Sequence, residues 1–371
     1  MMEPHSEAEL SGLVKGSNGP LRIRGGGTRV FGRPVQGEVV STANLSAITL
    51  YEPGALTLVA KAGTPLSEIE RELAKNDQQL AFEPMDHQLL LGVEGTPTIG
   101  GAIAANVSGP RRISVGAARD FLLGVRFVDG QGDIIKNGGR VMKNVTGYDL
   151  VKLMAGSYGT LGILTEVSLK VMPADETAAT IAVAGLGASE AVAALSAALG
   201  SPFDVTGAAY EPASRQTAVR IEGFKKSVEY RSNELVKHLK DFGEVNVITG
   251  SEHDTLWKDI RDVTPLAGAV GDIWRISVRP SDGPKVIETL KPKSYLMDWG
   301  GGLIWAEVDN RTDIRSMLSA FSGHATLIKA SPETRAIIPS FHPSVDALEQ
   351  VAEGLRKKFD PRGILNPGLM N

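Results

Sequence analysis

Short alternating runs between turn residues mark the first part of the chain. Leu21–Arg24 reads as a strand that stops at Gly25-Gly26-Gly27. Glu38–Thr42 and Leu56–Lys61 are rich in strand-favouring residues and bounded by turn formers. Thr64-Pro65 opens a predicted helix, with Thr64 as N-cap, Pro65 at the first helical position and Glu68 in the first turn. Its apolar face is Leu66, Ile69, Leu73 and Leu80, and Asn76-Asp77 closes it. Thr98–Val107 predicts a glycine-rich helix start of small residues. Phe121–Val128 and Asp133–Lys136 flank Asp129-Gly130-Gln131-Gly132, a β-hairpin signal. Asp149–Met154 predicts a short helix and Ile163–Val171 a strand.

Pro173-Ala174-Asp175-Glu176 reads as a boundary, after which the periodicity changes. Strands are predicted at Thr180–Val183, Ala218–Ile221, Val245–Thr249, Trp274–Val278, Leu303–Val308 and Ala325–Ile328. Helices fall between them at Ser189–Leu199, Val228–Phe242, His253–Val263, Pro284–Leu290 and Asp313–Phe321, with a last one over Val345–Phe359. Strands that return between helices fit an α+β architecture with antiparallel sheets covered on one face.

Composition sharpens this picture. The 371 residues are 42% hydrophobic and 22% charged, enough to bury a core in about two domains. A net charge of −4 carries no global attraction for nucleic acid, and no such partner is expected. Cysteine is absent, which excludes disulfides, thiol nucleophiles and thiolate metal or iron–sulfur ligation by this chain. Met1–Glu7 is polar and acidic, unlike a signal peptide, and no apolar run reaches 18 residues. The expectation is a cytoplasmic chain without a transmembrane segment, with membrane association through partner subunits left open.

Glycine carries the chemistry. Of 42 glycines, 25 lie within residues 1–173. Gly25-Gly26-Gly27-Thr28 follows a strand, so backbone N–H groups without side chains can converge on an anion. Thr98-Ile99-Gly100-Gly101 is a second such loop at a helix start. Two loops suit a diphosphate, and each alone also fits a plain tight turn. Neither G-x-G-x-x-G nor G-x-x-x-x-G-K-[ST] occurs, against a Rossmann nicotinamide site or a P-loop.

Six segments in order resemble one family. They are Ile23–Thr28, Phe82-Glu83-Pro84, Gly95–Asn106, Gly116–Val125, Lys143–Leu150 and Gly159–Glu166, and a C-terminal run, Phe359–Gly368, is similar to the closing motif of the same proteins. The chain resembles the vanillyl-alcohol-oxidase-type (PCMH) FAD-binding flavoproteins. Within them it is most like the shorter FAD-binding subunit of bacterial glycolate oxidases, beside D-lactate dehydrogenase relatives. The resemblance implies an α+β fold with a two-subdomain FAD-binding domain over residues 1–173. An α+β cap domain with an antiparallel sheet would follow over 174–371, with 359–371 returning to the flavin.

It also implies site residues. The backbone of Gly25, Gly26, Gly27 and Thr28 holds the pyrophosphate, faced by Thr98, Gly100 and Gly101. Asn106 and Gly109 lie along the cofactor, Pro84 begins a loop towards the flavin, and Ile163, after Gly162, sits by the adenine. Asn366 approaches the isoalloxazine. Read without the family, Asn106 also fits a helix cap, Gly162 a turn and Asn366-Pro367-Gly368 a tail turn. Some relatives carry a histidine after the glycines that bonds the flavin covalently. Thr28 stands there in this chain, so non-covalent FAD is expected.

Oxidation of a 2-hydroxy acid needs a base, a cation for the carboxylate and an acceptor for the hydride. The larger catalytic relatives carry a histidine motif resembling G-E-H-G-D, and this sequence lacks it. His5, His87, His238, His253, His324 and His342 show no paired metal-ligand spacing, so no metal site is expected. The catalytic residues stay unassigned, with Lys143, Tyr148 and His324 as candidates. Arg111-Arg112 is a basic pair open to phosphate contact or to solvation, and Trp299–Gly302 fits a strand turn or a wall over the flavin. The leading expectation is an FAD-binding subunit of a glycolate oxidase complex, partnered by a larger FAD-binding catalytic subunit and an iron–sulfur subunit. Two alternatives stay open: a stand-alone D-lactate or glycolate dehydrogenase, and a non-catalytic scaffold.

Overall fold

The computed structural model describes residues 1–139, 148–318 and 321–370. Strands Leu21–Arg24 and Glu38–Ser41 pair in parallel. Helix Glu7–Gly16 packs on them through Leu10 and Val14, and its Ser6 N-cap accepts a hydrogen bond from Glu9 N. The chain's end returns here. Leu21 N donates to Ile364 O (2.7 Å), Asn366 N donates to Leu21 O (2.9 Å), and Ile364 and Leu365 enter the same apolar cluster.

A five-stranded antiparallel sheet stands beside this pair, in the order Ile48–Glu52, Thr57–Lys61, Ile163–Lys170, Leu122–Val128, Ile134–Gly138. The predicted hairpin closes on Asp129, whose Oδ1 accepts from Gln131 N and Asp133 N, both at 2.9 Å. Helix Leu66–Ala74 buries Leu66, Ile69 and Leu73 on the sheet, as its spacing predicts. Its start differs from the expectation. Pro65 is extended and bridges Thr98, and Leu66 N donates to Pro97 O, so the helix begins one residue later. Thr64 is buried and ties Ala47 to Lys61 instead of capping.

Beyond Pro173 the chain enters an eight-stranded antiparallel sheet. Its order is Val245–Ile248, Thr177–Ala184, Gln216–Gly223, Val205–Glu211, Ser294–Asp298, Leu303–Val308, Asp272–Val278, Gly323–Lys329. Alternation sorts the side chains. Ile181, Val183, Tyr210, Trp274 and Ile276 face helices Ala188–Leu199, Lys225–Leu239 and Gly283–Leu290. Ala209, Ala218, Ile273, Leu296 and Trp305 face helix Gly250–Asp262 together with Met85 and Leu90 from the first unit. The sheet is therefore covered on both faces, not one. Two central strands, Val205–Glu211 and Ser294–Asp298, escaped the pattern. The first is rich in small residues because Gly207 lies under the Trp257 ring. Residues 314–318 form turns instead of the expected helix, and the Arg315 guanidinium donates to the carbonyls of Pro339, Ser340 and Phe341.

The seam between the two units is ionic at its centre. Arg220, on the large sheet, donates to both carboxylate oxygens of Glu83 at 2.8 and 3.0 Å, and its Nε lies 3.3 Å from Glu222. Arg111 of the first unit pairs with Glu222 and, at 2.9 Å, with Asp175 on the connection. Burial alone pushes the Glu83 carboxyl up, but Arg220 and Arg111 overcome it and hold it below the ordinary carboxylate value. Against the same burial, Glu83 and Glu222 hold Arg220 above its own ordinary value. The Arg220 guanidinium also stacks 4.4 Å from the Trp257 ring centre.

Arg220→Met removes the bidentate partner of Glu83 and leaves Arg111 as the one counter-ion that Glu83 and Glu222 share. Unfolding free energy is expected to fall by about 3–5 kcal/mol in urea titration. The exposed Lys240→Gln is expected to stay within about 0.5 kcal/mol of the parent.

Candidate functional site

Strand Leu21–Arg24 runs straight into Gly25-Gly26-Gly27-Thr28. This loop lies against residues 95–98: Thr96 N donates to Gly26 O (3.1 Å), and a Cβ on Gly26 would collide with the Thr96 carbonyl. Thr98 caps helix Ile99–Ala104, its Oγ1 accepting from Gly101 N (3.3 Å). Gly100 N donates to Ala62 O (2.8 Å), which presses the helix start onto the neighbouring strand. These loops wall a cleft of about 490 Å³.

Ten residues expected at the cofactor line this cleft: Gly25, Gly26, Gly27, Thr28, Thr98, Gly100, Gly101, Gly162, Ile163 and Asn366. The Asn366 side chain is already occupied. Its Oδ1 accepts from Ile23 N and its Nδ2 donates to Tyr158 O, both at 2.8 Å. Pro84, Asn106 and Gly109 lie outside the lining. Asn106 holds the next loop, accepting from Arg119 N (3.0 Å). Gly109 N donates to Phe82 O, and Gly109 O accepts from Trp299 Nε1 (3.1 Å), which places it on the seam beside Glu83 and Pro84.

The catalytic candidates are not brought together. Tyr148 is 87% exposed. His324 sits on the edge strand Gly323–Lys329, opposite Ser277 and outside the cleft lining. Lys143 lies outside the described residues. Arg111 is consumed by the seam, and Arg112 lies 4.9 Å over the Trp299 ring. The Trp299–Gly302 cluster is the turn between two strands, with Trp299 packed against Arg112 and Arg275.

Arginine was the missed signal. Arg22, Arg24, Arg29 and Arg33 bracket the glycine loop and line the cleft, and Arg335 joins them from the second unit. Burial pushes the Arg29 guanidinium down to about 10. One Nη donates to Met85 O (3.3 Å), while Nε is buried with no acceptor among the described residues. A second buried cation, Arg275, is likewise pushed down to about 10 and lies 5.1 Å over Trp299. Its neighbour Asp298 is raised to about 7 by burial, although it accepts from Trp299 N (2.7 Å). Among the described residues no three His, Asp or Glu side chains gather as metal ligands. A cradle that a Cβ would fill and a buried guanidinium Nε lacking an acceptor together fit a dinucleotide diphosphate.

Residues 1–138 match the family model described as an FAD binding domain. The chain is 35% identical over 356 residues to glycolate oxidase subunit GlcE of Escherichia coli, covering 95% of this chain and 92% of that one. It is 31% identical over 179 residues to a D-lactate dehydrogenase of Archaeoglobus fulgidus, covering 47% of this chain and 38% of that one. With glycolate oxidase subunit GlcD of Bacillus subtilis it shares 34% over 165 residues, 44% of this chain and 34% of that one. A solved alkyldihydroxyacetonephosphate synthase superposes with a TM-score of 0.66 at 18% identity, over 98% of this chain and 76% of that one. Fold and cleft thus define an FAD-binding flavoprotein of the PCMH type, in the class of FAD-linked oxidoreductases. Along nearly its whole length, the chain belongs to the glycolate oxidase subunit GlcE family.

Gly26→Ala is expected to cut the FAD bound per purified chain at least about tenfold, because the loop must move off Thr96. Flavin absorbance against protein concentration, with circular dichroism as the folding control, checks it. Asp298 sets a pH dependence. Between about pH 4 and 7 the unfolded carboxyl ionises while the folded one keeps its proton. Stability therefore falls through that window by up to about 1.4 kcal/mol per pH unit and levels off above it. Asp298→Asn removes this slope, so its stability relative to the parent is expected to rise from pH 4 to 7. A pH-independent difference would contradict the assignment.

Proposed function

We propose that this chain is the FAD-carrying subunit of a glycolate-oxidising complex, working with a larger FAD-binding catalytic subunit and an iron–sulfur subunit. One observation carries the reading. The likeness to GlcE runs through both units, whereas the D-lactate dehydrogenase and GlcD matches span under half the chain. The FAD domain covers residues 1–173, the cap domain starts at 174, and residues 359–371 return to the cofactor. Gly25–Thr28 and Thr98–Gly101 hold the diphosphate and Gly162-Ile163 borders the adenine, while Asn106 and Gly109, outside the cleft lining, hold the neighbouring loop and the seam. When bound, FAD supplies a two-electron acceptor. Thr28 offers no imidazole for a covalent link, and a chain without cysteine leaves any iron–sulfur relay to a partner. The complex works in the cytoplasm or on a membrane that its partners reach.

A second reading, in which the chain oxidises the hydroxy acid itself, is favoured by Arg275. That guanidinium is desolvated at the seam and makes no ion pair among the described residues, as a site for a substrate carboxylate requires.

Purification from the native host tests both. The expected result is a complex containing flavin and iron that oxidises glycolate, an isolated chain without turnover on an artificial acceptor, and release of all its FAD on acid denaturation. Turnover by the isolated chain would favour the second reading. Flavin retained after denaturation would overturn the non-covalent assignment.

A further inference from the structure

The cleft carries more positive charge than its glycine loops require. Five arginines and one carboxylate, Glu94, line it, in a chain whose net charge is −4. None of the five takes part in an ion pair among the described residues. Two adjoin the loops directly. The Arg24 guanidinium lies against Gly27, and Arg29 Nη1 lies 3.1 Å from where a Cβ on Gly101 would sit. Arg22, Arg33 and Arg335 remain, and the last two each have a buried Nε without an acceptor among the described residues. A buried guanidinium N–H lacking an acceptor is costly, and an oxyanion removes the cost with a charge-assisted bond.

Arg335 differs from the others in origin. It stands on helix Pro332–Ile337, which follows the edge strand of the large sheet and is capped by Ser331. One Nη donates to Val30 O (3.0 Å), just past the glycine loop. Six residues beyond Arg335, the Phe341 and Tyr158 rings meet edge to face at 4.8 Å, with Tyr158 also lining the cleft. Segment 330–341 of the second unit thus reaches over the cleft of the first. Burial holds Arg335 below its ordinary value, as it does a cation awaiting a counter-ion.

We infer that Arg335 and Arg33 form a cross-domain clamp on the diphosphate of FAD, so that bound cofactor ties segment 330–341 to the nucleotide-binding unit. The cofactor then serves as a structural link between the two units as well as a redox group. The inference leaves open which acid is oxidised, and it holds whether or not the chain turns over alone. The same guanidinium chemistry could instead receive a substrate carboxylate, and the test separates the two.

Apo-protein is titrated with FAD and with riboflavin, which lacks the phosphates, by flavin fluorescence. Arg335→Gln is expected to weaken FAD about 10- to 100-fold and leave riboflavin unchanged. Rising ionic strength is expected to weaken FAD less in the variant than in the parent. Hydrogen exchange over residues 330–341 is expected to slow on FAD addition in the parent and much less in the variant. Arg33→Gln, on the other side of the clamp, is expected to show the same selective loss, and it serves if Arg335→Gln fails to fold. Unchanged FAD affinity in both variants would overturn the clamp, as would equal losses for FAD and riboflavin. A third contrary result is intact FAD affinity with lost binding of glycolate to the FAD-loaded protein, which would assign these cations to the substrate.

Discussion

The bidentate pair between Arg220 and Glu83 is the constraint on which the rest of the structure depends. Apolar contact alone would join the two units, since Met85 and Leu90 pack among Ile273, Leu296 and Trp305 on the large sheet. Apolar packing is non-directional, however, and allows sliding. A buried guanidinium has no such freedom, because a small displacement strands charge in a dry seam. Four charged groups, Glu83, Arg111, Arg220 and Glu222, pair with one another there, so one docking geometry is far better than its neighbours. The network contributes orientation more than net stability.

That orientation reaches the cofactor cleft through one short loop. Glu83 is gripped by Arg220 and by the Arg111 backbone N–H at 2.8 Å. Two residues on, the Met85 carbonyl accepts from Arg29, whose guanidinium lies over Gly101. Between seam and cleft, Asp86 N donates to Asp262 of the second unit at 2.9 Å. The segment 83–86 is thus held at both ends, and a shift at the seam displaces a cation at the glycine loops. Gly109 shows the same coupling, with Phe82 bonded on one side and Trp299 on the other.

Sequence made the local rules legible and the long-range ones only by analogy. The hairpin at Asp129, the helix at Leu66 and both glycine loops follow from spacing and backbone chemistry. The central strands of the large sheet do not. Val205–Glu211 is buried on both faces, so its alternation is replaced by small residues, of which Gly207 makes room for Trp257. At the site, the glycines stood out, whereas the four arginines around them were equally visible and went unread. Their meaning comes from the absence of carboxylate partners among the described residues, a three-dimensional fact. Arg335 had no local signal at all, since more than 300 residues separate it from Val30. The pair Arg111-Arg112 had a signal that pointed elsewhere, because the carboxylates that Arg111 meets, Glu83, Asp175 and Glu222, are distant in sequence.

Asn366 explains why the chain's last residues belong with its first strand. A side-chain amide can donate and accept at once, and here it does both across the cleft wall. It takes the Ile23 N–H on the strand that leads into Gly25, and it gives an N–H to Tyr158 O on the opposite turn. Its backbone adopts a positive φ of 44°, a conformation asparagine tolerates better than most residues. Leu365 enters the core under the same strand while Leu369 closes over Gly32. The glycine loop has no side chains with which to hold its own shape. Its rigidity comes from the strand before it, and that strand is pinned on one edge by Glu38–Ser41 and on the other by the C-terminal segment. The flexibility that lets backbone approach a phosphate is therefore offset by residues more than 300 positions away. A loop poor in side chains needs such a brace to present its N–H groups in one arrangement.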